Sequence, residues 1–289
     1  MATADPVLVT GASGQLGRLV IDELLRRLPA SRIVAAVRNP AAARDLAERG
    51  VELRKADYEE PASLDAALAG IGRVLLISSN AVGQRVPQHR NVVDAARRGD
   101  VGLLAYTSIL RADTNPMQLA SEHRQTEALI RASGLAHIFL RNGWYTENYT
   151  RSIGAAVEHG VVLGGAGDGL ISAAARADYA AAAAAALLAD LDGPETIHEL
   201  AGDSAFTMAQ YATEVARQSG KPVVYRDLPE AEFKAALQGF GLPEGFAAIL
   251  ADCDVQAAKG ALFDEGRALG KLIGRPTTPL AQSIAAALA

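Results

Sequence analysis

The chain has 289 residues, 49% of them hydrophobic and 5% aromatic, and a net charge of −5. That length suits one large α/β domain or a domain with an appended lobe, and the acidic balance excludes a general nucleic-acid binder, which needs a basic patch. A single cysteine, Cys253, excludes an internal disulfide and fits a reducing compartment.

The opening "MATADP" has no basic-then-apolar leader, and no apolar run reaches membrane-spanning length, so a cytoplasmic location is expected. Strands are predicted at 6–10, 32–37, 51–55, 73–78, 102–107 and 136–140, as continuous apolar runs buried on both faces. Helices fall between them near 15–28, 41–49, 62–69, 87–98 and 119–133. Strand and helix alternating at this spacing imply right-handed crossovers and a parallel sheet. The basic groups "LLRRL" and "AARRG" read as solvated helix ends.

After residue 141 the pattern loosens. A helix near 146–158, a glycine-rich loop "LGGAGDGLIS", an alanine-rich helix at 177–189 and a strand at 196–200 follow. Helices at 207–218, 229–238, 244–251, 266–272 and 279–288 then make a small, mostly helical lobe. The fold class is α/β, a Rossmann-like doubly wound parallel sheet with that lobe at its C-terminal end. A dinucleotide domain is expected over 1–141, its sheet completed by 170–202. A substrate-binding lobe is expected over 142–169 and 203–289. Cys253, with Asp252, Asp254 and Glu244 nearby, is expected to hold a raised thiol pKa and to be a small buried residue.

The stretch "LVTGASGQLGRLV" carries the chemistry. Gly11, Gly14 and Gly17 follow a strand and open a helix, the context that gives a glycine motif meaning. Gly11 permits the tight turn, Gly14 lets a pyrophosphate approach the helix N-terminus, and Gly17 lets the helix pack on the strand. Thr10 and Ser13 add hydroxyls, and the cofactor is a dinucleotide. After the second strand Arg38 stands where an acid would bind the ribose of NAD, and a guanidinium there matches the 2′-phosphate of NADP. Asn39 caps the next helix and Pro40 suits its first turn, so that helix start faces the same phosphate. Asp57 is a candidate acceptor for the adenine amino group or plain loop polarity. Ser78 and Ser79, after the fourth strand, border the ribose and nicotinamide.

These residues resemble the short-chain dehydrogenase/reductase superfamily in its atypical NmrA-like branch. The motifs "VTGASGQLG", "VRNP", "LLISS", "VGQRVPQHRN", "LRNGWYTENY", "ADYAAAA", "LADCDV" and "KLIGRPTTPL" look like the bacterial NADPH-dependent quinone oxidoreductases of type 2, over essentially the whole chain. The resemblance implies a cofactor site of Gly11, Ala12, Ser13, Gly14, Gln15, Leu16 and Gly17, with Arg38, then Ile77, Ser78 and Ser79. It adds the turn Asn142, Gly143, Trp144, Tyr145, Thr146 and Glu147, and Arg176. Gly143 lets backbone approach the nicotinamide. Trp144 and Tyr145 offer flat faces to a planar substrate, with core packing the alternative for Trp144.

Ordinary reductases of the superfamily carry Tyr-x-x-x-Lys on the helix after the fifth strand. Here that helix offers His123-x-x-x-Glu127, and Tyr106 lies on the strand before it. Quinone reduction needs no strong acid, because the product is a phenolate with pKa near ~10 that water protonates. No catalytic residue is assigned. His123 is either a substrate-side donor or a local partner of Glu127 at i+4. The scattered histidines predict no metal. The resemblance implies an NADPH:quinone oxidoreductase without flavin, acting on a small-molecule quinone as monomer or homodimer, with no nucleic-acid or membrane partner. The alternative is an NADP-binding redox sensor without turnover.

Overall fold

The computed structural model describes residues 5–190 and 193–289, so the leader reading of residues 1–4 lies outside the described residues. The first part of the chain runs β1 (Val7–Val9), α1 (Gln15–Leu25), β2 (Ile33–Val37), α2 (Arg44–Glu48), β3 (Glu52–Lys55), α3 (Pro61–Leu68), β4 (Arg73–Leu76), α4 (Arg85–Arg98), β5 (Leu103–Ile109), α5 (Ala120–Ser133) and β6 (His137–Asn142). The remainder runs α6 (Glu147–Thr150), α7 (Ile153–His159), β7 (Val161–Gly164), α8 (Arg176–Leu188), β8 (Glu195–Leu200), α9 (Met208–Ser219), β9 (Val224–Asp227), α10 (Glu230–Gly239), α11 (Glu244–Ala258), α12 (Ala268–Ile273) and α13 (Leu280–Leu288).

Seven strands form one sheet in the order β3-β2-β1-β4-β5-β6-β8, and β1 to β6 pair in parallel. This is the doubly wound sheet that the alternating pattern predicts. Strand order reverses between β1 and β4, which places the ends of those two strands at the topological switch point. Strands β1, β2, β5 and β6 are buried along their whole length, whereas β3, at the edge, carries Glu52, Arg54 and Lys55. Helix α8 is buried nearly all round, from Tyr179 through Ala184 and on to Leu187. Its run of alanine is apolar on every face and lets neighbouring elements approach closely, which suits a helix enclosed nearly all round.

Contacts divide the chain into two compact units. The first comprises the chain up to Ala112 with Glu122–Asn142 and Ala177–Glu199, and the second comprises Asp113–Ser121, Gly143–Arg176 and Leu200–Ala289. The second unit is mostly helical, as expected, but it also holds a two-stranded parallel sheet, β7 with β9, that the sequence reading missed. The single helix expected over 146–158 is two short helices, α6 and α7. The "LADCDV" segment lies on α11 and fastens loops within this unit. Asp252 accepts the Gln118 amide at 2.8 Å, and Asp254 accepts that of Gly165 at 2.8 Å.

A buried ion pair ties the first unit together. Glu127 of α5 and Arg141 of β6 are 1% and 4% exposed, and meet through two hydrogen bonds of 2.9 and 2.6 Å. Ser108 of β5 donates to the same carboxylate at 2.6 Å, and Arg141 reaches Glu199 of β8 at 2.9 Å. Removing Glu127 strips the buried Arg141 of two hydrogen bonds and leaves its charge only the part-exposed Glu199, so the cost approaches the ~3–5 kcal/mol of a broken buried pair. Glu127→Ala is expected to lower the unfolding free energy by that amount in urea denaturation. A loss below about 1 kcal/mol, the range of surface pairs, would show that the pair is not structural.

Candidate nucleotide site

In the first unit the chain leaves β1 through Thr10 and enters α1 at Gln15. Gly11 sits at φ +57°, a conformation that side chains with a Cβ rarely adopt. A Cβ on Gly17 would lie 2.4 Å from the Gly11 carbonyl oxygen and 2.7 Å from Ala12 Cα, so only glycine lets the helix start this close to the turn. Gly14 is the N-cap of α1, no side chain caps that end, and no acid stands in the first turn. The first amides of an eleven-residue helix are thus left for an anion, an arrangement that fits a pyrophosphate. Ala12 and Leu16 turn their side chains into the core and present backbone only, while Ser13 and Gln15 are exposed.

Thr10 has a different role from the one expected. It is 1% exposed, donates to the Leu75 carbonyl at 3.1 Å and accepts the Ile77 amide at 3.0 Å, so it joins β1 to the end of β4. Arg38 is exposed at the end of β2, and among the described residues it has no hydrogen bond or ion pair. Asn39 caps as expected, accepting the Ala41 amide at 3.1 Å with Pro40 following. The turn it caps, however, is a four-residue 3-10 segment leading into the five-residue α2. Too few peptide dipoles align there to add much beside Arg38. Asp57 is half-buried and spends one carboxylate oxygen on the Glu59 amide at 3.0 Å.

The loop after β4 is more constrained than its sequence suggests. Its three successive amides are all taken by side chains: Ile77 by Thr10, Ser78 by Thr107 at 2.8 Å, and Ser79 by His89 Nε2 at 2.9 Å. The Ser79 hydroxyl donates to Gln88 at 2.5 Å, and the Ser79 carbonyl accepts from Arg85 Nε at 2.6 Å. Every polar group of Ser79 is therefore bonded to α4. The Ser79 hydroxyl proton is thereby engaged within the fold.

Tyr106, His123 and His89 lie together beneath this loop. Tyr106 is fully buried, and its hydroxyl lies 2.8 Å from His123 Nδ1. Arg85 Nη1 lies 3.5 Å from His123 Nε2. Guanidinium only donates, so Nε2 keeps its lone pair and the ring proton sits on Nδ1, facing the Tyr106 oxygen. The same logic fixes His89. Its Nε2 accepts from Ser79, so Nδ1–H points to Thr126 Oγ1 at 2.9 Å, and Thr126 passes its own proton to the Glu122 carbonyl. Burial, then the Arg85 charge, push His89 down to about 3 and His123 well below its usual value. The i+4 pairing of His123 with Glu127 does not form, because Glu127 is claimed by Ser108 and Arg141.

In the second unit, Trp144 and Thr146 bracket Ala174 by backbone hydrogen bonds of 3.0 and 2.9 Å. The Arg176 guanidinium lies over the Tyr145 ring, 4.9 Å from its centre. Glu147 accepts the Arg176 amide at 2.9 Å, closing the N-terminus of α8. Trp144 and Tyr145 are half-buried, Thr146 is buried, and Gly143 donates its amide to the Leu200 carbonyl at 2.7 Å. Asn142 ends β6 in the first unit, and its carbonyl accepts the Leu110 amide at 2.8 Å. Cys253 is buried, and burial with Asp252 and Asp254 pushes its thiol up to about 12. Glu244 takes no part in this, being paired with Lys234 at 2.9 Å. Burial raises Asp254 to about 6 against the Gly165 hydrogen bond. Among the described residues no three His, Cys, Asp or Glu side chains converge as a metal ion requires, and no helix is long and apolar enough to cross a membrane.

A histidine held neutral makes stability depend on pH. Between about 3 and 6.5 the unfolded chain takes up a proton that folded His89 refuses, so this contribution is full above pH 6.5 and is lost as pH falls. Asp254 acts in the opposite sense between 3.8 and about 6, where its raised folded pKa favours the more acidic side. His89→Gln removes only the first effect. Urea midpoints at pH 7 and pH 5 are expected to differ less in His89→Gln than in the wild type. Equal differences would mean that His89 titrates normally in the folded chain.

Residues 11–190 match a family model described as NAD(P)H-binding. The chain is 55% identical to quinone oxidoreductase 2 of Escherichia coli (strain K12), over 96% of this chain and 97% of that protein. The crystal structure of an NADPH-dependent quinone oxidoreductase from Escherichia coli complexed with NADPH matches with a TM-score of 0.95 and 54% identity, covering 98% of this chain and 100% of that one. Triphenylmethane reductase of Citrobacter sp., complexed with NADP(H), matches with a TM-score of 0.93 and 37% identity, covering 97% and 99%. The chain therefore belongs to the NAD(P)H-binding family and, within it, to the group of quinone oxidoreductase 2.

Proposed function

We propose that the protein is an NADPH-dependent oxidoreductase that reduces small quinones by hydride transfer without flavin. The observation that carries this reading is the near full-length match to quinone oxidoreductase 2. The dihydronicotinamide of NADPH supplies the hydride when bound. The chain's own residues bind and orient. The uncapped start of α1 behind Gly11 and Gly14 takes the pyrophosphate, and Arg38 takes the 2′-phosphate. Ser78 and Ser79 wall the nicotinamide-side ribose, and Asp57 keeps one carboxylate oxygen for the adenine side. In the second unit Trp144 and Tyr145 present flat faces to the quinone, and Arg176 braces Tyr145.

The slot where short-chain reductases keep their acid supports a quinone over a ketone. His123, in that slot, is neutral beside Arg85 and does not serve as an acid near pH 7. Hydride addition to a quinone yields NADP+ and a hydroquinone monoanion, which takes its second proton from water. A ketone yields an alkoxide, whose higher proton affinity calls for general acid catalysis, typically ~10²–10⁴-fold.

Decay of NADPH absorbance is expected with small para-quinones and not with simple aliphatic ketones. Efficient ketone reduction would overturn the proton-affinity argument. His123→Ala is expected to cost less in kcat than the loss of a general acid, below about 10²-fold. A thousandfold drop with cofactor binding intact would make His123 the donor. Arg38→Ala is expected to weaken NADPH binding by about 10- to 150-fold, from roughly 1.5–3 kcal/mol for a charged hydrogen bond. NADH binding should be nearly unaffected, and Arg38→Asp should move preference toward NADH. An unchanged ratio of NADPH to NADH dissociation constants, measured at fixed low salt, would place Arg38 outside the site.

A further inference from the structure

Helix α4 is tied to the nucleotide site by three side chains on one face. Arg85, Gln88 and His89 stand at i, i+3 and i+4, the spacing that stacks residues along one side of a helix. All three reach Ser79: Arg85 at the carbonyl, Gln88 at the hydroxyl, His89 at the amide. The helix start is itself pinned, because Glu122 of α5 accepts the amides of Gly83 and Arg85 at 3.1 and 3.2 Å. Gln88 also donates to Glu59 at 2.9 Å, and Asn91 donates to the Tyr58 carbonyl at 2.8 Å. Those two acceptors follow Asp57 in the loop after β3, on the adenine side of the glycine turn.

We propose that Arg85, Gln88 and His89 are positioning residues that hold Ser78–Ser79 as a preformed wall for the nicotinamide half of the cofactor. This deepens the function proposed above and rests on its reading of Ser78–Ser79. A loop leaving a strand end is ordinarily mobile, and ordering it on binding costs affinity. Here the ordering is done in advance. The neutral state of His89 is part of the device, since a protonated ring would turn a second donor toward the Ser79 amide. Arg85 guards against that: it bonds the Ser79 carbonyl and places a fixed positive charge beside both rings. Gain is realised only by a ligand that extends past the pyrophosphate to Ser79.

The test compares a whole cofactor with its adenine half. Dissociation constants for NADPH and for adenosine 2′,5′-bisphosphate, and kcat with a para-quinone, are measured for the wild type, His89→Leu, His89→Gln and Gln88→Met. Leaving the Ser79 amide unpaired is worth about 1–3 kcal/mol, so His89→Leu should weaken NADPH binding or lower kcat by roughly 5- to 150-fold. Binding of the adenine half should stay within about twofold, on the order of the ±0.5 kcal/mol of a neutral substitution. His89→Gln, whose amide oxygen can accept the Ser79 N–H, should recover most of the loss, which a general packing defect would not. Gln88→Met keeps His89 and should show a smaller loss of the same kind, and it carries the test if His89→Leu does not fold. Parallel weakening of both ligands, or no change in either, overturns the proposal. A wild type that binds NADPH but leaves quinones unreduced would refute the proposed function, while the ratio of the two dissociation constants still decides the role of α4.

Discussion

Where β4 runs out of neighbours, three amides in succession need partners, and the rest of the site is arranged around meeting that need. Thr10 from the first strand, Thr107 from the fifth and His89 from the fourth helix each supply one acceptor. Leaving a buried amide unpaired costs more than a formed hydrogen bond returns. The three acceptors are thus under a strict requirement to keep a lone pair toward the loop. For the threonines this is automatic. For the histidine it fixes the tautomer, while burial, and then the Arg85 charge, keep His89 and His123 neutral. A backbone need at the end of one strand and a buried neutral pair of rings thus meet in the same few residues.

Two kinds of buried polar network lie within a few residues of each other on α5. Glu127 answers to Arg141 and makes an ionic lock between helix and sheet. His123, one turn earlier, answers to Tyr106 and stays uncharged. The helix that supplies acid chemistry in the ordinary reductases of this superfamily is here divided between structure at one position and neutral packing at the other. A reaction whose product is a weakly basic phenolate tolerates that loss, because solvent completes the protonation.

The legible parts were those set by local rules. Continuous apolar runs such as IVAAV and LLAYTSI admit few readings besides a buried strand, and Gly11 and Gly17 are demanded by a turn that is complete within ten residues. Strands β7 and β9 are hard to read because each is four residues long: β7, VVLG, is an apolar run too short to tell from a loop or helix edge, and β9, VYRD, is largely exposed with no apolar run. The pairing of His123 with Glu127 was a sound reading of helix geometry alone. It failed because Arg141 comes from another element, and a bidentate guanidinium outcompetes an imidazole. The partners of the Ser79 polar atoms are hidden for the same reason, since what occupies them is a helix face that takes shape only once α4 is docked. Even so, R-x-x-Q-H at the start of α4 was a one-face pattern that could have been noticed.

The buried cysteine has a bearing on the chemistry of the substrates. Quinones are electrophiles as well as hydride acceptors, and they arylate thiolates by conjugate addition. A protein that gathers quinones at its surface runs the hazard of being consumed by them. This chain has one cysteine, it is 1% exposed, and its thiol, pushed up to about 12, stays protonated at neutral pH. The two aspartates that fasten loops on either side of it also keep it in its unreactive form. The fold thereby offers its substrates no reactive thiolate, and the same burial that packs α11 keeps the thiol from arylation.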